Sequence, residues 1–407
     1  MTHRADAGQV AMPGDAKVVN RQKMLRVIRT GRVLTAAEIH ESTGISRPTV
    51  MRFLQHCCQL GVLQSMGFGR STSAGGKKPE LFRFCDERKI LCVNLWPQSI
   101  TLAMSALVGG IYALEAFDHQ LSSDLDANLR DVRALGEVYL RTQGMTFEDV
   151  YGVVLTVPGT VDYDTKSLRY NSQAPGWGTE VDMQKKLREV LGSHLECYID
   201  NAGKAAGRAL LLEHPEYETG RVMTLFTTWG VSACLMDKGH VLNGRDSLIG
   251  EIGHMIIDSG DDVVCGCGKR GCLESMVSLG RVRRRMRELG ENEEVSKTLT
   301  LRTLFERSAA GDARARQMSA ELAHCFAVAL QNMALAYNQE KVVFQGDFAW
   351  ADAHFDECLR RELSEFRYFP RGGLFSIAYD RRDLTRLAAQ GGAGKLIEKY
   401  FDALAQE

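Results

Sequence analysis

A pattern of strands and helices that occurs twice constrains the fold of this chain more than any other feature. Residues 89–110, "KILCVNLWPQSITLAMSALVGG", predict strand, turn and strand; a helix follows near 124–142, then an apolar strand in "VYGVVLTVPGTVD". The second half repeats the hairpin in "RVMTLFTTWGVSACLMDKGHVL" and adds a late strand, "EKVVFQGDF". Strands that alternate with helices are typical of α/β folds. A chain of 407 residues also predicts two or three domains.

The composition predicts a cytoplasmic protein without membrane insertion. The sequence has no run of about 18 apolar residues and no charged-then-apolar start of the kind that marks a signal peptide. Its eleven cysteines are an odd number, and three of them lie between positions 265 and 272. This distribution favours reduced thiols and a metal site over a disulfide framework.

The charge is distributed unevenly along the chain. Residues 1–89 contain 15 Lys and Arg against 7 Asp and Glu, whereas the whole chain has a net charge of -1. The N-terminal part is therefore basic and the remainder acidic. A basic segment indicates nucleic-acid binding when a suitable fold carries it.

The basic segment has the pattern of a winged helix-turn-helix. A first helix is predicted over 19–30, with Leu25, Ile28 and Met24 on its apolar face. Thr35 and Glu38 have the spacing of a capping box that begins a second helix. A third helix is predicted after Ser46 as N-cap, and a strand, a Gly- and Ser-rich tip and a second strand follow it as a wing.

In a helix-turn-helix the first residues of the last helix enter the major groove, and a basic wing tip meets the backbone or the minor groove. The alternative is a winged helix that binds protein, which the charge and the polar start of the helix disfavour. The predicted DNA-binding residues are Ser46, Arg47, Thr49, Met51 and Arg52 on the helix and Arg70, Lys77 and Lys78 on the wing.

A zinc site is predicted in the turn-rich stretch 254–272. Zinc prefers four nitrogen or sulfur ligands in a tetrahedron, and thiolates two or five residues apart on a turn can surround one ion. The predicted ligands are His254, Cys265, Cys267 and Cys272. Four protein ligands leave no open coordination position, so the zinc is expected to be structural. Unligated buried thiols are the alternative.

Seven motifs together make the chain resemble the ROK family of repressors, open reading frames and sugar kinases almost from end to end: "GISRPTV", "GGKKPELF", "VPGTVD", "PGW", "GEIGHMIID", "CGCGKRGCLE" and "NQEKVVFQGD". The resemblance implies an α/β fold in which a winged helix-turn-helix precedes a two-lobe actin-like ATPase (ribonuclease H-like) domain. The expected divisions are a disordered tail, 1–18; the DNA-binding domain, 19–88; lobe 1, 89–205; and lobe 2, 206–407, whose C-terminal helix can return to lobe 1.

The resemblance also shows where this chain departs from the sugar kinases of the family. Those kinases hold ATP phosphates in two glycine-containing turns, because only glycine lets the main chain approach so closely. Here the first turn reads "NLWPQS", with Trp96 and Pro97 where the kinases have glycines. The second turn reads "TTWGVS", and Trp229 intrudes beside the retained Gly230. Both phosphate sites are expected to be lost.

The catalytic base of the family kinases is also in question. They carry an Asn-Asp-Ala stretch whose Asp takes the proton from the sugar hydroxyl. This chain has "YIDNAG", which places Asn201 at the position of that Asp, although a shift by one residue restores Asp200. No catalytic residue is therefore assigned, and the chain is predicted not to be an enzyme.

In the family, a cleft between the two lobes binds the sugar. The residues that contact the sugar there are expected to be retained in this chain. The resemblance assigns sugar contacts to Gly159, Glu251, His254 and Glu274, and carboxylates suit a polyol because they accept hydroxyl protons. The remaining contacts stay open: Asn171 and Gln173 lie where the family has an Asn, and either Asp200 or Asn201 fills the acid position.

The combined prediction is a transcriptional repressor of sugar uptake or catabolism genes. It binds a double-stranded DNA operator as a homodimer or homotetramer and is released by a sugar or sugar phosphate. An ATP-dependent sugar kinase and a regulator controlled by a protein partner are the alternatives. The sequence does not decide the sugar, the operator, the oligomer size, or activation against repression. The basic segment "RVRRRMREL" is interpreted as a solvated helix.

Overall fold

The N-terminal head is a winged helix-turn-helix. The computed structural model describes residues 13–69, 78–368 and 375–407. A three-stranded sheet of order β1-β3-β2 closes the head against three helices. The elements are α1 (Pro13–Ile28), β1 (Leu34–Thr35), α2 (Ala36–Thr43), α3 (Arg47–Gln59), β2 (Leu63–Phe68) and β3 (Glu80–Phe84).

The local sequence signals of the head are confirmed, with two differences. Met24, Leu25 and Ile28 are buried, and Thr35 and Glu38 form the capping box that begins α2. Helix α1 begins at Pro13, inside the predicted tail, because a proline is well tolerated at the first helical position. The predicted N-cap Ser46 precedes α3, but within the described chain it makes no side-chain capping bond. Its hydroxyl lies 2.9 Å from that of Thr49.

Lobe 1 is built on a five-stranded sheet of order β11-β7-β4-β5-β6. The antiparallel hairpin strands β4, β5 and β6 form one side; β7 pairs with β4 in parallel, and β11 pairs with β7 in parallel. Its elements are β4 (Lys89–Trp96), β5 (Ser99–Ala106), β6 (Gly109–Asp118), α4 (Leu125–Thr142), β7 (Val150–Val157), β8 (Thr160–Asp162), β9 (Ser167–Tyr170), β10 (Val181–Asp182), α5 (Met183–Leu191), β11 (Glu196–Asn201) and α6 (Ala202–Glu213).

Lobe 2 repeats this connectivity in a sheet of order β14-β13-β12-β15-β16. Strands β12, β13 and β14 are antiparallel, and β15 and β16 add in parallel. Its elements are β12 (Arg221–Thr227), β13 (Val231–Asp237), β14 (His240–Val241), α7 (Leu273–Val277), α8 (Leu279–Glu288), α9 (Glu293–Thr298), α10 (Leu301–Ala309), α11 (Ala313–Ala336), β15 (Lys341–Gly346), α12 (Ala353–Glu365) and β16 (Ser376–Asp380).

The last helix, α13 (Leu384–Gln406), runs back over lobe 1 and reaches the head. It packs along α6 and against β4 and β7, and α6 itself contacts strands of both lobes, so the predicted boundary at 205/206 falls inside a shared helix. Near its C-terminal end, Leu404 and Ala405 join one apolar core with Met24 and Leu25 of the head. Within the described segments, no helix is long and apolar enough to cross a bilayer.

Candidate functional site

Four potential metal ligands converge in the loop between β14 and α7. One nitrogen or sulfur atom from each of His254, Cys265, Cys267 and Cys272 lies within 4.8 Å of all the others. The Nδ1 atom of His254 is 3.5 Å from Sγ of Cys265, and the Sγ atoms of Cys267 and Cys272 are 3.7 Å apart. The structure therefore brings together all four residues that the sequence predicted as ligands.

These spacings fit a tetrahedral ion. Because Zn–S bonds are about 2.3 Å long, two thiolates at corners of a zinc tetrahedron lie about 3.8 Å apart. The loop can bend this tightly because Gly271 has a φ of 70°, and a Cβ there would lie 1.6 Å from the Asp258 carbonyl oxygen. The donor set and the geometry both suit zinc, and His254 would bind it through Nδ1 and keep Nε2 for another partner.

Two glutamates flank this predicted metal loop, and both are expected to line the cleft between the two lobes. Glu251 begins the short 3-10 turn that ends at His254, and its Oε1 accepts a hydrogen bond from the Thr160 hydroxyl of lobe 1 at 3.1 Å. Burial raises the pKa of Glu251 above its usual value. Glu274 lies in the first turn of α7, and its Oε2 accepts from the backbone N–H of Val231 at 2.9 Å. Both side chains are partly buried and retain acceptor positions for hydroxyl groups.

Lobe 1 contributes a glycine and two amides to the same cleft. Gly159 has a φ of 98°, and a Cβ there would lie 2.4 Å from the Tyr170 carbonyl oxygen. Asn201 donates from Nδ2 to the Gly159 carbonyl at 2.7 Å. Asn171 is buried, and its Nδ2 has no hydrogen-bond partner among the described residues, whereas Gln173 is exposed. Between the two positions that the sequence left open, Asn171 is the one that lies buried beside Gly159.

Asp200 is engaged elsewhere, so its assignment as a sugar contact is not supported by the geometry. Its carboxylate is fully buried, with Oδ2 2.5 Å from Nη1 of Arg208 and Oδ1 accepting from the Tyr163 hydroxyl at 2.6 Å. Successive side chains along β11 point in alternate directions, so those of Asp200 and Asn201 lie on opposite faces of the sheet. Asn201 alone fills the position beside Gly159.

Lys204 is a residue at this site that the sequence analysis missed. It lies in the first turn of α6 and is buried, and its Nζ donates to the Asn243 side chain at 3.2 Å and to the Ser247 carbonyl at 3.1 Å. Burial lowers the pKa of Lys204, and the charge of the nearby Glu251 opposes this effect. A single lysine among the small residues of "AGKAAG" was the signal that could have indicated it.

Two indole rings meet between the two turns that the resemblance aligns with the phosphate turns of the family kinases. The ring centroids of Trp96, at the end of β4, and Trp229, in the turn before β13, are 4.7 Å apart in an edge-to-face arrangement. Trp96 also packs edge-to-face on Phe226 and belongs to an apolar cluster with Leu384 and Leu387 of α13. The predicted intrusion of both rings is thus seen in the structure, which places aromatic carbon between the two turns.

The predicted DNA-binding surface lies on the exposed side of α3. Ser46, Arg47, Thr49 and Arg52 are exposed, and so is Lys78 at the base of the wing. Met51 differs, because its side chain is half-buried against the core of the head. Arg70 and Lys77 lie outside the described residues. The basic segment in α8 is engaged within lobe 2: Arg281 pairs with Asp261 and Arg285 with Glu321.

Comparisons with known proteins give relatives of two kinds. The xylose repressor of Caldicellulosiruptor bescii is 23% identical over 363 residues, which cover 86% of this chain and 88% of that protein. A glucokinase of Halalkalibacterium halodurans is 27% identical over 268 residues, covering 63% of this chain and 78% of the enzyme.

A solved ROK family transcriptional regulator, described as a homologue of the E. coli MLC protein, has the same fold. It superposes with a TM-score of 0.74 at 18% identity, and the match covers 96% of this chain and 99% of that one. The sequence profile of the ROK family matches residues 133–372. Since this match spans more than half of the chain, the protein belongs to the ROK family.

Proposed function

We propose that this protein is a sugar-responsive transcriptional repressor. The proposal is supported by the combination of an exposed, basic helix-turn-helix surface with a group of polar side chains around Glu251 and Asn201 and a contact between Trp96 and Trp229. Such a chain can read DNA and bind a polyol. The relatives that match it over most of its length, the xylose repressors, support the same function.

Helix α13 is the physical connection between the two ends of the molecule. Its first turn packs on Trp96 at the cleft, and its last turns pack on the head. Arg21 of α1 donates to the Ala405 carbonyl at 3.2 Å, and Gln22 donates to Asp402 at 3.1 Å. A sugar that closes the lobes would shift α13 and hence the head. Its effect on DNA affinity is limited to its preference for the closed state.

The protein is proposed to act as a homodimer or homotetramer. Helix-turn-helix proteins read operators that consist of two half-sites about one helical turn apart, and two-fold symmetry of the protein matches that spacing. A change in the angle between head and body alters the distance between the two recognition helices, so a small movement in each chain is enough to weaken binding to both half-sites.

The first prediction concerns DNA binding by α3. Replacing Arg47 by Ala in the full-length chain should weaken binding to a duplex selected from a random pool about 10-fold or more, because one charged contact to a base or phosphate is lost. Fluorescence anisotropy measures the affinity, and its salt dependence should be steep. Arg141→Ala, on the exposed end of α4, is the control that leaves affinity unchanged. Binding that is insensitive to salt and to Arg47 would contradict the proposal.

The second prediction concerns the sugar side of the cleft. At least one ligand in a panel of sugars and sugar phosphates should raise the melting temperature of the protein. The panel includes D-xylose and D-glucose, because the relatives include a xylose repressor and glucokinases. Glu251→Gln should weaken that ligand about 10-fold to 100-fold, since a hydrogen bond to a charged acceptor is lost. Glu306→Gln on the exposed face of α10 is the control. If no member of the panel binds the intact protein, control by a protein partner becomes the better explanation.

We also propose that the chain does not transfer phosphate from ATP. Trp96 and Trp229 fill the space between the two phosphate turns, and Asn201 stands where a catalytic carboxylate would be. An amide cannot take the proton from a sugar hydroxyl. Asp200 cannot replace it, because its carboxylate is bound by Arg208 and Tyr163.

The third prediction follows from this arrangement. The protein is incubated with ATP, with or without the sugar that binds most tightly. Addition of the sugar should not increase the amount of ADP formed, because the γ-phosphate has no site beside the sugar. A coupled ADP assay measures this, and a ROK family glucokinase in the same assay serves as the positive control. Sugar-dependent release of ADP would show that the cleft binds ATP despite the two indoles.

We propose that this loop binds one zinc ion and that the zinc is structural. With His254, Cys265, Cys267 and Cys272 as ligands, no coordination position would remain for substrate. A bound zinc would hold the loop that positions Glu251 and Glu274, so the ion would act on sugar binding through the orientation of these carboxylates.

The fourth prediction tests this assignment. The purified protein should contain about one zinc per chain by atomic emission, and Cys272→Ser should lose the zinc and lower the melting temperature, because metal binding contributes to folding. The matched control is Cys58→Ser in the head, which should keep the zinc content and the melting temperature of the unchanged protein. A Cys272→Ser variant with unchanged zinc content would exclude this loop as the site.

A further inference from the structure

A second cavity, separate from the sugar cleft, lies where the head meets lobe 1. Its volume is about 360 Å³, and it is lined by the end of α1, the turn between β5 and β6, the end of α6 and the middle of α13. The head side contributes Arg26 and Arg29, and the body side contributes Gly109, Gly110 and Gln390. Four elements from both parts of the molecule therefore line one half-open cavity of a size usual for small-molecule sites, about 300–1,000 Å³.

The charge in this cavity is unbalanced. Neither the Arg26 nor the Arg29 side chain makes a hydrogen bond or an ion pair with any residue that the structure describes, although the Glu398 charge acts on Arg29 from a greater distance. Glu398 itself pairs with Lys395 at 2.7 Å. The lining contains no acidic side chain in the described part of the chain. Arg29 is half-buried, and burial lowers its pKa.

A half-buried guanidinium without a partner is costly, because it loses hydration and gains no counter-charge. By contrast, the half-buried Arg169 of lobe 1 pairs with Asp162, and the buried Arg208 pairs with Asp200. Two guanidiniums without a counter-charge line this half-open cavity, Arg26 from the exposed side and the half-buried Arg29 deeper in. Such a pair suits an anionic oxygen group, since each guanidinium can bind a phosphate or carboxylate through two parallel N–H bonds.

We propose that this cavity is an effector site for a small metabolite that carries a phosphate or carboxylate group. The anion binds between Arg26 and Arg29, and the body of the ligand lies against the Gly109–Gly110 turn and Gln390. Both glycines have positive φ values, and a Cβ at either position would meet no atom within 4 Å, so the main chain of this turn borders open space.

An occupant of this cavity would join the head to the body. Arg26 and Arg29 belong to α1, which carries part of the head core, while the opposite wall belongs to lobe 1 and to α13. The head already contacts the same turn where Gly31 faces Val108. A bound anion would therefore restrain the head relative to lobe 1 and change the affinity for DNA. This last consequence rests on the proposed repressor function, whereas anion binding itself does not.

The test is calorimetric titration of the full-length protein, without DNA, with inorganic phosphate and separately with citrate in chloride buffers of matched ionic strength. Saturable binding of either anion at one site per chain is expected, and the anion that binds more tightly identifies the preferred group. Arg29→Met should weaken binding about 10-fold or more, and Arg26→Met with Arg29→Met should abolish it, because the charge-assisted bonds are lost. Arg141→Met, on the exposed end of α4, should change nothing.

Two results would overturn the proposal. One is the absence of phosphate and citrate binding beyond that of chloride. The other is binding that survives in the Arg26 and Arg29 variants but is lost in Arg52→Met, which would place the anion on the DNA-facing side of α3. Melting temperatures of all variants establish that each is folded. Because the titration contains no DNA, failure of the repressor proposal would leave its result unaffected.

Discussion

The close packing of α13 along α6 is the contact on which the arrangement of cleft and head depends. At Gly391 a Cβ would lie 1.8 Å from the Ala205 carbonyl oxygen, so the two helix backbones touch there and only glycine fits. Arg208 reinforces the contact by donating to the Gly391 carbonyl while it pairs with Asp200. The C-terminal segment is thereby held against lobe 1, from the indole cluster at one end to the head core at the other.

This packing explains why the two halves of the cleft have different properties. On one side, the metal loop and the Gly159 turn present Glu251, Glu274, Asn171 and Asn201, which are groups that exchange hydrogen bonds with hydroxyls. On the other side, Trp96 is part of the same apolar cluster as the first turn of α13. Restoring a phosphate site there would require removal of packing that also anchors the C-terminal helix.

Buried charges in this protein are of two kinds. The first kind has partners within the chain that hold elements together. Asp200 pairs with Arg208, and Lys204 donates hydrogen bonds to Asn243 and Ser247. Arg29 is not compensated, and it lies at the junction of the head and lobe 1. Since pairing offsets the cost of desolvating a charge, the compensated groups contribute to the architecture, whereas the unpaired Arg29 is the basis of the proposed anion site.

Local signals made much of this molecule predictable from its sequence. Hydrophobic periodicity and the Thr35–Glu38 capping box placed the head helices, and the repeated hairpin predicted both sheets. Cysteine spacing predicted the metal ligands, because all but His254 lie within one short turn. The proposed roles of Glu251 and Glu274 followed from the motifs of the family resemblance. Other features required the fold: Met51 is half-buried, α1 starts at Pro13, and Lys204 is buried.

Three features depend on residues that are far apart in the chain: the choice between Asp200 and Asn201, the contact between Trp96 and Trp229, and the cavity around Arg29. The sequence by itself determined the element types and the four His and Cys side chains that could hold a metal, since these depend largely on neighbouring residues and their spacing. Only the tertiary structure decided which side chains face the cleft and which face the core, because strand direction and helix packing set the orientation of each side chain, and both are established by contacts between distant segments.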